Sequence, residues 1–85
     1  MNAKFLLVPA VMLFLTSCHD EFDIEAGDVP QPVITALSAK YPVAQEVKWE
    51  AEKVDGHLSF EANFKVDGKT KEAFFKTDGA FMKEE

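Results

Sequence analysis

Arginine is absent from this sequence, and cysteine occurs once, at Cys18. Without a second cysteine no intrachain disulfide can staple the fold, so a core must come from apolar burial alone. Without arginine, and with a formal net charge of −6, the chain has no cluster of cations to neutralise phosphates, so neither nucleic acid nor electrostatic attachment to anionic lipid is expected. Long hydrophobic runs are scarce too. The one present, Phe5 to Leu15, is interrupted only by Pro9 and falls short of the about 20 residues that a membrane-crossing helix needs. Histidine is limited to His19 and His57, and no placed nucleophile, acid/base pair or metal-ligand spacing accompanies them, so the chain is not expected to be an enzyme or to hold a metal or cofactor. Asp20, Glu21 and Asp23 lack the glycine and closing glutamate of an EF-hand loop.

What is present begins with Lys4 ahead of that apolar run, which is the shape of a signal peptide over residues 1–17. The run ends in Leu15-Thr16-Ser17-Cys18, which resembles the bacterial lipobox: an aliphatic residue, two small residues, and the cysteine that is lipidated and becomes the new N-terminus. Small side chains admit the peptidase, and a thiol is needed for the thioether to diacylglycerol. The resemblance implies attachment to a membrane through acyl chains on Cys18, and two or three chains suffice for stable anchoring. The expected address is the cell envelope, as an outer-membrane lipoprotein facing periplasm or cell surface.

Residues 18–28 carry five carboxylates between His19 and Asp28. Self-repulsion and low apolar content predict a flexible acidic tether there. Acidic residues after the lipidated cysteine also resemble the surface-export signal of Bacteroidota lipoproteins.

The globular part is expected over 29–85, as a single small domain. Val29 to Pro42 predicts one short helix, with Pro30 and Pro32 in its first turn and Pro42 ending it. Val33, Leu37 and Tyr41 form a stripe for packing on a sheet. Three Asp-Gly pairs, at 55–56, 67–68 and 78–79, then divide four segments; Asp-Gly between alternating residues marks a hairpin, because glycine takes the positive φ that a tight two-strand turn demands. Trp49 and Ala51 alternate with Lys48, Glu50 and Glu52, and Leu58, Phe60, Ala62 and Phe64 alternate with Ser59, Glu61 and Asn63. A two-residue turn at 55–56 sets Trp49 opposite Ala62 and Val47 opposite Phe64, which keeps apolar residues on one face. The same turn at 67–68 puts Phe75 with Phe60 and sends Phe74 outward. The last turn leaves two registers open: a two-residue turn puts Phe81 outward and Met82 in the core, and a three-residue turn with a bulge reverses them.

The expected fold class is therefore α+β, one short N-terminal helix packed on a curved four-stranded antiparallel meander. Val29-Pro30 with Val33 and Leu37, Tyr41-Pro42, Val47-Lys48-Trp49, Phe60-Glu61-Ala62-Asn63-Phe64 and the closing Asp-Gly hairpins together resemble the beta-lactamase-inhibitor-like, PepSY-like domains of secreted proteins and lipoproteins of Bacteroidota. The resemblance covers residues 29–85. It implies this architecture and a non-enzymatic binding or inhibitory role, while the single unit here, where many relatives carry two in tandem, leaves room for self-association.

A binding role would use the outer sheet face, where Phe74, and Phe81 in one register, stand amid Lys48, Glu50, Glu61 and Lys76 as aromatic anchors in a polar rim. The expected partner is a protein or a second copy of the chain. The competing expectation is a structural spacer with no specific ligand.

Overall fold

The computed structural model describes residues 19–85. The expected signal peptide over 1–17, the expected lipobox residues Leu15, Thr16 and Ser17, and Cys18 lie outside the described residues. From His19 the order is β1 (His19–Ile24), a 3-10 turn (Ala26–Asp28), α1 (Gln31–Lys40), β2 (Gln45–Val54), β3 (His57–Val66), β4 (Lys69–Lys76) and β5 (Phe81–Glu84). The strands form one antiparallel sheet in the order β1-β2-β3-β4-β5. No described helix is long and apolar enough to cross a membrane.

Two expectations are corrected by this arrangement. The sheet has five strands, not four, and the helix follows a strand rather than opening the domain. Both corrections have one cause: residues 19 to 24, expected in a flexible tether, pair with β2 from His19↔Val54 to Ile24↔Trp49. Backbone hydrogen bonds to an existing strand do not depend on side-chain charge. Glu21 and Asp23 alternate with Phe22 and Ile24, so this part of the segment carries a strand's period despite its composition.

Helix α1 starts where Pro30, in extended geometry, offers its carbonyl to the N–H groups of Val33 (2.9 Å) and Ile34 (3.3 Å). Pro32 sits in the first turn, where a missing N–H costs nothing. The Tyr41 N–H donates to the Leu37 carbonyl (2.8 Å), and the chain then leaves the helix at Pro42. Val33 and Leu37 are buried, with Ile34, Ala36 and Tyr41 half-buried beside them. A helix this short holds only because that stripe is covered.

The sheet's inner face covers it. Trp49, Ala51, Phe60, Ala62, Phe64, Ala73 and Phe75 form one cluster with Val29, Val33 and Leu37. The Asp55-Gly56 and Asp67-Gly68 turns have two consecutive positive φ values (51° and 81°; 53° and 79°), and they deliver Trp49↔Ala62 and Phe60↔Phe75. Val47 does not reach Phe64. Glu46 adopts φ 53° and the register slips between Gln45 and Lys48, so a bulge turns Val47 to solvent and the Tyr41 ring packs on Phe64 instead, with centroids 4.7 Å apart.

The last hairpin takes the bulged register, with Phe75↔Phe81 and Phe74↔Lys83. Phe81 is thus on the inner side, edge-on to Phe75 at 5.8 Å, with the Lys40 ammonium 4.2 Å from its ring centre. Its loop presses against the helix start: a Cβ at Gly79 (φ 92°) would lie 2.6 Å from the Pro32 carbonyl oxygen, so this approach needs glycine. Tyr41 closes the other end by donating its hydroxyl to Glu84, which Lys71 also holds at 3.2 Å. Burial first, and then that donated hydrogen bond, push the Tyr41 phenol up to about 12.

Candidate functional site

The outer face of the sheet is built by the residues that alternate with the core. On β2 these are Lys48, Glu50 and Glu52, and on β3 Ser59, Glu61 and Asn63. Glu72, Phe74 and Lys76 follow on β4, with Lys83 beside Phe74 on β5. The added strand contributes Glu21 and Asp23, opposite Glu52 and Glu50. One cross-strand row therefore reads Asp23, Glu50, Glu61, Phe74, Lys83.

Glu61 is the unusual member. It stands mid-sheet and keeps only 5 % of its surface exposed, in a place where a carboxylate is seldom found without a cation. Burial, followed by the charges of Glu50 and Glu72, pushes its carboxyl from 4.5 up to about 7, against a hydrogen bond from Asn63 that favours the charged form. Glu50 is raised as well, first by burial and then by a hydrogen bond and repulsion from Glu21, with Asp23 and Glu72 adding to it. The Asn63 amide donates to Glu50 at 3.5 Å. Glu21, Glu52 and Glu61 each bring a carboxylate oxygen to within 4.8 Å of the other two.

No family model, curated protein or solved structure matches the chain. The chemistry of the face thus has to be taken from its own geometry. Crowded carboxylates, one of them buried, are mutually repulsive when ionised. They relieve that repulsion by sharing a proton or by meeting a cationic group.

The structure gathers five of the six expected binding residues, Phe74, Lys48, Glu50, Glu61 and Lys76, on this face, and places Phe81 on the other. Phe74 needs a correction of its own. It points outward as the register requires, but it is not exposed: 5 % of its surface remains, with the Lys83 ammonium 4.8 Å from its ring centre. Lys83 is held in turn by Glu85 at 2.7 Å. An aromatic anchor on open display is therefore replaced by a phenylalanine floor under a lysine, surrounded by acids. The residues missed in the sequence are Glu21, Asp23, Glu72 and Lys83: the first two alternate with Phe22 and Ile24, Glu72 shares the parity of Phe74, and Lys83 depends on the register of the last hairpin.

Proposed function

We propose that this chain is an envelope lipoprotein, anchored through acyl chains on Cys18, whose small domain binds without catalysis and uses the acidic outer face for a cationic segment of a protein partner. The observation that carries the proposal is Glu61, buried at the centre of a face that also bears Glu21, Asp23, Glu50, Glu52 and Glu72. Burial first, and then the charges of Glu50 and Glu72, raise the Glu61 carboxyl to about 7; a lysine-bearing segment laid across the sheet would offset the part of that cost that comes from the neighbouring carboxylates. Kinship with the PepSY-like domains belongs to the same proposal, and the fifth strand is its point of departure.

Capture from envelope extracts by the full lipidated chain tests it. One protein is expected to be recovered by the parent, to be lost with the charge-reversed pair Glu52→Lys and Glu72→Lys, and to be released by raised salt. Recovery that ignores both changes would remove the acidic face from the account. An empty lane for parent and variant alike favours the spacer. The 4.8 Å grouping of Glu21, Glu52 and Glu61 favours a second reading, uptake of a divalent cation, and calcium titration of the parent against Glu61→Gln separates it from the first.

A further inference from the structure

Strand β1 starts at His19, the residue directly after Cys18. Consecutive Cα atoms are about 3.8 Å apart, so an acyl-bearing Cys18 leaves no length of free chain between lipid and sheet. His19 pairs with Val54, which fixes the end of the sheet that lies at the anchor: the end bearing the Asp55-Gly56 turn, with Val54 and Leu58 on either side of it. The opposite end carries Val43 and the Asp67-Gly68 turn.

The anchor end also exposes three apolar side chains, beside Asp20, Lys53 and Asp55. Val54 is 39 % exposed, Leu58 42 % and Phe22 53 %. On the inner face, beyond the part that α1 covers, Lys53 stands between Leu58 and Asp20, with Phe22 next along β1, while Val54 stands on the outer side. Apolar side chains around a lysine suit the boundary between acyl chains and headgroups, where the stem lies on hydrocarbon and the ammonium reaches phosphate.

We infer that this end of the sheet rests on the bilayer, with Val54, Leu58 and Phe22 entering its interfacial layer and the acidic face standing upright from the membrane. The inference rests on the lipid-anchor reading above. Occupancy by a soluble partner is disfavoured by position, since any surface this close to Cys18 meets lipid first.

The test uses the full chain, lipidated in the cell and reconstituted into phosphatidylcholine vesicles with or without chain-brominated lipid. Trp49, buried at 5 % exposure, sets the baseline. Leu58→Trp and, as a second probe, Val54→Trp should each lose roughly half of their added emission to bromine, while Val43→Trp at the far end stays at the parent's level. Protein that floats with the vesicles yet shows no quenching at either probe overturns the docking and leaves the anchor standing. Protein that does not float, or that floats equally well as Cys18→Ser, overturns the anchor and the docking together.

Discussion

The two faces of the sheet share a backbone and differ in what they bury. The inner face buries Phe60, Phe64 and Phe75 under α1 and has the make-up of an ordinary small core. The outer face buries Glu61 and Phe74 with no helix above them. Cross-strand neighbours alone account for that burial, since β3 and β4, which carry them, are each flanked by a strand on both sides. The inner face therefore supplies stability, and the outer face holds a charge at the expense of stability.

Three substitutions sharpen or break that contrast. Phe75→Ala removes a fully buried ring from the inner face and should cost about 3–5 kcal/mol, read as a fall in the urea midpoint; a change within error would mean that the core lies elsewhere. Glu61→Gln should act in the opposite direction. The raised carboxyl favours folding while protonated, so its stability is fully present below the ordinary 4.5 and is lost as pH rises through about 7. The parent should unfold more easily at pH 8 than at pH 5 by up to about 3 kcal/mol from this group, and the glutamine variant should flatten that profile. A parent curve that already is flat, or that slopes the other way, would show that Glu61 ionises without penalty. Phe74→Ser should come last, at about 2 kcal/mol, because a lysine covers it rather than a helix; a loss as large as that of Phe75→Ala would erase the distinction between the faces.

Much of the inner face was legible because its determinants are local. Asp-Gly pairs at 55–56 and 67–68 set two registers, and period-two patterning assigned Trp49, Phe60, Ala62 and Phe75 to the core. The outer face was legible in direction but not in burial. Phe74 was placed on the correct side by parity, whereas its cover comes from Lys83, positioned by a bulge that the sequence left open between two registers. The bulge at Glu46 was hidden for a related reason: a glutamate, not a glycine, takes the positive φ there. The largest omission was β1. Its carboxylates resemble those of a solvated leash, and the deciding fact, that β2 offers an edge to pair with, is tertiary. With β1 unrecognised, the grouping of Glu21 with Glu52 and Glu61 could not be seen.

That strand also forms one rim of the sheet. Its backbone faces outward, yet Asp20, Glu21 and Asp23 along it are all exposed. Two copies meeting rim to rim would present these like charges to each other, and mutual repulsion would keep them apart before main-chain groups could join two sheets into one.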